Sequence, residues 1–231
     1  MAATGPLKWD ETSKRTYEAG VDRGVLYPTD TTNGSYKTGV AWNGLTKVSE
    51  SPDGGDTEAK YANNNIYLNM TAPEKFKGTI SAYTYPPEFA ACDGSAAVVD
   101  SGTQTEVLGL KVTGQNRLPF GLSYRTGMGN DTNGMAYGYK LHIVYNATAA
   151  VSSRDYETIN DSPDAIELSW DFNTTPIPVP GLKPSAHLVI ESTTANAKGL
   201  KALEDILYGS ASAAAKLPTP EEVIAALKTA G

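Results

Sequence analysis

Two runs in the middle of the chain alternate in character with a period of two, and nothing else in the sequence restricts the fold as tightly. In the first, Leu118, Phe120, Leu122 and Tyr124 alternate with Pro119, Gly121, Ser123 and Arg125. In the second, Tyr137, Tyr139, Leu141, Ile143 and Tyr145 alternate with Ala136, Gly138, Lys140 and His142. Successive side chains of a strand point to opposite sides, so each set lies on one face of a sheet. The tract Gly127–Gly134 between them, rich in Gly and Asn, suits a hairpin connection. Further strands are expected at Thr38–Lys47, with Val40, Trp42 and Leu45 apolar, and at Lys75–Tyr85. Two more follow at Ala165–Asn173, with Ile166, Leu168, Trp170 and Phe172 on one face, and at Ser185–Glu191. Shorter extended segments are expected at Arg15–Ala19 and Gly24–Tyr27.

Helical signals are few and late. Pro86–Gly94 reads as a short helical turn, with prolines where a missing N–H costs little and Gly94 as the stop. Asn196 can cap a helix running to about Tyr208, whose stripe of Leu200, Leu203, Ile206 and Leu207 faces a core. Thr219-Pro220-Glu221-Glu222 is a capping box that opens a second, short amphipathic helix carrying Val223, Ile224 and Leu227. Residues 50–65 hold few large apolar residues and read as a long exposed loop. Residues 1–209 form the expected core unit and 210–231 a C-terminal linker and short helical arm. The expected fold class is mainly β, a sandwich.

Composition agrees with that class and narrows function. Hydrophobic residues make up 40% of the 231, enough for a core, while charged residues stand at 19%, below the usual quarter. The net charge of −7 argues against a protein that grips nucleic acid, because phosphate neutralisation needs Lys and Arg. The single cysteine, Cys92, excludes an intramolecular disulfide and a thiolate metal cluster. The opening residues carry neither a basic region nor an apolar run, so no signal peptide is expected. No stretch approaches about 18 apolar residues, so no membrane span is expected either. These features point to a protein made in a reducing cytoplasm.

Catalytic chemistry is hard to find. The two histidines, His142 and His187, both fall in strand patterns, and an ordinary half-buried strand residue accounts for each. No spacing of His, Cys and carboxylates suggests a zinc or non-haem iron site. Asp131-Thr132-Asn133-Gly134 resembles a fragment of a calcium loop but lacks its later glutamate, and a hairpin tip explains it. Asp53-Gly54-Gly55-Asp56 likewise reads as a loop tip. Tyr83, Tyr85, Tyr137, Tyr139 and Tyr145 could stack on sugars or bases, but no basic groove accompanies them, and half-buried packing is the plainer role. No catalytic residue, metal or cofactor is therefore expected.

Three blocks carry a resemblance. They are Gly39–Lys60 (GVAWNGLTKVSESPDGGDTEAK), Thr79–Gly94 (TISAYTYPPEFAACDG) and Gly138–Asp171 (GYKLHIVYNATAAVSSRDYETINDSPDAIELSWD). With the helix Leu200–Gly209 they resemble the major tail tube proteins of long, non-contractile-tailed bacteriophages, over about residues 8–220. The resemblance implies a tail-tube-type β-sandwich or barrel with a flanking helix, extended loops and terminal arms. It also implies subunits that form hexameric rings and stack into a tube through which DNA passes during ejection. Asn196–Tyr208 would be the flanking helix, with Leu200, Leu203, Ile206 and Leu207 on its core face. The long loop Glu50–Met70, carrying Asp53, Asp56, Lys60, Tyr61, Tyr67 and Met70, and the N-terminal segment would reach neighbouring subunits or rings. The partners implied are copies of the chain, a tape measure protein within the tube, and tail terminator and baseplate or distal tail proteins at its ends, all in the virion tail.

A ring of six such chains carries about −42, and an acidic lumen would repel phosphate and keep DNA from sticking. Glu167 and Asp171, on the polar side of an alternating strand, are the candidates to face that lumen; an ordinary solvated face would place them equally well. A receptor- or carbohydrate-binding β-sandwich on a virion surface is the alternative, and would need an exposed aromatic cluster with convergent polar groups. A hydrolase on the same scaffold would need an acid/base pair in a cleft.

Overall fold

The computed structural model describes residues 6–159, 161 and 164–228, so the first five and last three residues of the terminal segments lie outside it. In chain order the strands are β1 (Thr16–Pro28), β2 (Val40–Ala41), β3 (Leu45–Glu50), β4 (Thr57–Ala62), β5 (Asn65–Thr71) and β6 (Lys77–Ala82). A 3-10 turn at Pro87–Ala91 precedes β7 (Ala96–Val99), β8 (Glu106–Val112), β9 (Phe120–Asn130), β10 (Gly134–Ala149), β11 (Leu168–Thr174) and β12 (His187–Glu191). Helices α1 (Ala197–Tyr208) and α2 (Pro220–Lys228) follow. The fold is mainly β, as the alternation predicts, and its principal sheet is open rather than closed into a barrel.

The two alternating runs form the β9–β10 hairpin at the centre of that sheet. Its tip is an Asx turn: the Asn130 side-chain carbonyl accepts from the backbone N–H of Thr132 at 3.2 Å and of Asn133 at 2.6 Å. β1 pairs with β9 along its whole length, from Thr16 opposite Asn130 to Pro28 opposite Phe120. The two short segments expected at Arg15–Ala19 and Gly24–Tyr27 are thus one strand. Bulges at Gly20 and at Arg23-Gly24 interrupt its alternation without ending its pairing. Conversely, the run expected at Thr38–Lys47 breaks into β2 and β3, because the chain reverses at Asn43-Gly44. Gly44 sits at φ 75°, where a Cβ would meet Thr84 at 2.9 Å.

β10 decides the layering. Its first part pairs with β12, with Leu141 opposite Ile190 and Val144 opposite His187; its end pairs with β11, from Ala147 opposite Thr174. Between the two stands a bulge at Asn146, a non-glycine residue at φ 47°. The bulge reverses the phase of the strand: Leu141, Ile143 and Tyr145 face one core, whereas Ala147 and Ala149 face the other. Tyr36 clamps it, donating its hydroxyl to the Asn146 side-chain oxygen and accepting from the Asn146 N–H, both at 2.9 Å. Beyond the bulge the order β11–β6–β3 forms a second layer.

The first core lies between the layers. Trp170, Phe172 and Ile80 meet Leu26, Phe120, Leu122 and Val144, with Trp42, Phe89 and Cys92 among them. Phe89 comes from the 3-10 turn and stacks edge-on against both Trp170 and Phe120. The Trp170 indole N–H donates to Asp93 at 3.1 Å, and Asp93 is also paired with Arg154. Ile166, expected on this face, is instead exposed, because the strand begins at Leu168.

The second core lies on the other face of β9–β10, under the helices. Leu200, Leu203 and Leu207 are buried there with Tyr27, Ile143, Tyr145 and Ile190, and Ile206 packs at its edge. Asn196 caps α1 by accepting from the N–H of Lys198 at 2.9 Å. At α2, Thr219 and Glu222 form the reciprocal capping box: the Thr219 N–H donates to the Glu222 carboxylate at 2.9 Å, and the Glu222 N–H to the Thr219 hydroxyl at 3.3 Å. Leu217 and Val223 join this core, so the C-terminal segment folds onto the helix of its own chain. The contact is close: a Cβ on Gly199 would lie 2.8 Å from the Ala226 carbonyl oxygen.

Candidate functional site

Two hairpins stand apart from both cores. The first, β4–β5, occupies the segment expected as a loop. Asn63 and Asn64 turn it with φ of 50° and 63°, the left-handed pair that a two-residue hairpin turn requires. Every residue of β5 is exposed, including Ile66, Tyr67, Leu68 and Met70, and Tyr61 is uncovered on β4. Asp53 and Lys77 pair at its base, where Asp53 bridges to Lys75 in backbone; Lys60 pairs with Glu58 at 2.7 Å on its flank. Asp56 closes its root by accepting from the Ala72 N–H at 2.9 Å.

The second hairpin, β7–β8, was not visible as a pattern of buried and exposed positions because all of β8 is exposed. It bares Val99, Val107, Leu108, Leu110 and Val112, with Leu108 at 88%. Among the described residues, neither hairpin packs extensively against another strand or helix. A two-stranded sheet of this size is marginal alone in water, and apolar side chains uncovered on it favour a partner. The main sheet adds unpaired edges: among the described residues β3 pairs only with β6, and β12 only with β10.

Glu167 and Asp171 share the outward side of the outer layer, since Asp171 alternates with the buried Trp170 and Phe172. Asp171 accepts from the Thr79 hydroxyl at 2.5 Å, and Glu167 from that of Thr46. This side therefore presents carboxylates held by neighbouring strands.

Between the layers the structure gathers three titratable groups that the sequence spacing does not connect. His142 on β10 is buried, and His187 lies diagonally across on β12. The His142 Nδ1 stands 3.1 Å from the His187 Nε2 and 3.2 Å from the Glu50 Oε1, which arrives from β3 in the opposite layer. Tyr124 stacks on His142 with ring centroids 4.5 Å apart and donates its hydroxyl to the same Glu50 oxygen at 2.7 Å. Phe76 stacks on the far side of His187 at 4.1 Å. The His142 contact, aided by Tyr124 and opposed by partial burial, holds the Glu50 carboxyl down at about 2. Burial pushes the His187 imidazole down to about 4. The sequence signal was the alternation itself, which turns His142 away from Leu141 and Ile143 and toward the inter-layer core. The approach of Glu50 depends on the layers closing, and no local pattern reports that.

No helix of the described residues is long and apolar enough to cross a membrane. No protein-family model matches the chain, and no curated protein matches it. Among solved structures, the chain is similar to one from the PVC sheath–tube complex of an extracellular contractile injection system in its extended state. The TM-score is 0.36 at 12% identity, over 73% of this chain and 88% of that one. At that score the sandwich described above stands on its own strands.

Proposed function

We propose that this chain is the subunit of a self-assembling tube, in the manner of the phage major tail tube proteins that its sequence resembles. The observation that carries the reading is the pair of protruding hairpins, whose apolar side chains stand exposed among the described residues. In a ring each hairpin lies on the next subunit or the next ring, and the open sheet edges pair across copies. Asp53, Asp56, Lys60, Tyr61, Tyr67 and Met70 are the contact residues proposed for the first hairpin. Hexameric rings stacked into the conduit of a virion tail fit the resemblance, with a tape measure protein inside and terminator and distal tail proteins at the ends. Glu167 and Asp171 are proposed to face the lumen, where the net acidity of the chain lets DNA pass without being held.

Electron microscopy of the purified protein tests this. Rings or tubes with six-fold symmetry are expected, and deletion of residues 57–71 should yield a folded monomer that no longer polymerises. A wild-type chain that stays monomeric at high concentration, or that binds glycan as a monomer, would overturn the reading.

A further inference from the structure

The Glu50, His142 and His187 cluster has a property that an ordinary hydrogen-bonded core does not. Three possible metal-ligand atoms converge: a carboxylate oxygen and two imidazole nitrogens, all within 4.8 Å of one another. The facing nitrogens, His142 Nδ1 and His187 Nε2, share at most one proton in a neutral pair. We propose that this cluster is a binding site for a borderline divalent transition ion, with zinc as its representative, in which the metal replaces that shared proton.

The donor set is two imidazoles and one carboxylate, which selects zinc and its neighbours over magnesium or calcium. A tetrahedral ion with bonds of about 2.0–2.1 Å holds its donors roughly 3.3–3.4 Å apart. Two of the three spacings, 3.1 and 3.2 Å, already lie close to that. The two imidazole planes differ by 13°, so loading tilts the rings until both nitrogens aim at a point on the Glu50 side. Outer contacts of the kind that orient metal ligands are present: Thr126 lies 3.1 Å from the other nitrogen of His142, and Tyr124 holds the Glu50 oxygen. Access is open, because the Glu50 side chain is 38% exposed at the rim while His142 is 7% exposed behind it. That rim leaves the fourth position to water. Since Glu50 comes from one layer and the histidines from the other, the ion would tie the two layers together.

The site concerns the single chain and does not depend on assembly. Tag-free full-length protein, titrated with zinc at pH 7.5 by calorimetry, should take up one ion per chain with micromolar affinity and melt at a higher temperature when loaded. Cobalt should give the visible absorption of a four-coordinate ion, and magnesium should not compete. Glu50→Gln keeps a hydrogen-bond acceptor for Tyr124 at an exposed rim, and His187→Asn removes one nitrogen ligand. Each should weaken zinc at least ten-fold while the far-ultraviolet spectrum is unchanged. Absence of saturable uptake by the wild-type chain overturns the proposal, and so does uptake that folded Glu50→Gln protein retains in full.

Discussion

Tyr27 shows how much a single polar atom can matter inside this protein. Its ring is fully buried in the second core, and its hydroxyl donates to the Leu207 carbonyl at 2.7 Å with Ser123 Oγ 3.1 Å away. One atom thereby joins β1, β9 and the end of α1. Tyr27→Phe keeps the shape and leaves a helix-terminal carbonyl and a buried hydroxyl short of a partner. A loss of about 1–3 kcal/mol in denaturant unfolding is expected. Cys92 offers a complementary test of the first core. Burial pushes its thiol up to about 12, with the Asp93 charge adding to the effect. Thiol reagents at pH 8 should leave it unlabelled in the native protein and label it promptly in denaturant. Such residues were readable only in part. The alternation places Leu122 or Ile143 on a face, but it does not say which hydroxyl meets which carbonyl, since that depends on chains more than 90 residues apart in sequence.

Among the elements, α2 is the most dependent on its ends. It has nine residues, too few to hold a helix alone, so its capping box and its buried Val223 and Ala226 sustain it. The Lys216 ammonium, hydrogen-bonded to Glu222, holds that carboxyl below its ordinary value, and the Thr219 N–H helps. Because the folded value is the lower one, the contribution is present above about pH 4.5 and disappears as pH falls through the folded value. Glu222→Ala should therefore cost about 0.5–1 kcal/mol at pH 7, and the gap from wild type should narrow in thermal melts as pH falls below about 4.5. This element was legible because its signals are local: a cap, a proline and two acids within four residues. The β4–β5 hairpin carried an equally local signal in Asn63-Asn64. It was masked by a scarcity of large apolar residues before Ile66 and by strands that bury neither face, so no alternation marks them.

At the scale of the whole molecule, the sandwich was legible as a class and its layering was not. Alternation identifies strands and their faces, but β10 changes face at Asn146 within an unbroken run of sixteen strand residues. The phase change needs a bulge, and the bulge needs Tyr36 from more than a hundred residues away. Likewise, the joining of Glu50 to His142 and His187 is a product of closure between layers rather than of any motif.

The shared strand has a mechanical meaning for the chain. Both layers are joined through β10, one on each side of Asn146, so the backbone of a single strand runs from one layer into the other. Trp42 and Trp170 report on the first core, and α1 dominates the helical signal of the second. Tryptophan fluorescence and circular dichroism at 222 nm should then trace one coincident melting curve. Substituting Asn146 with a β-branched residue, which tolerates its positive φ poorly, should pull the two curves apart. A conduit made of such subunits would distribute load through a continuous thread instead of along the joint between two plates.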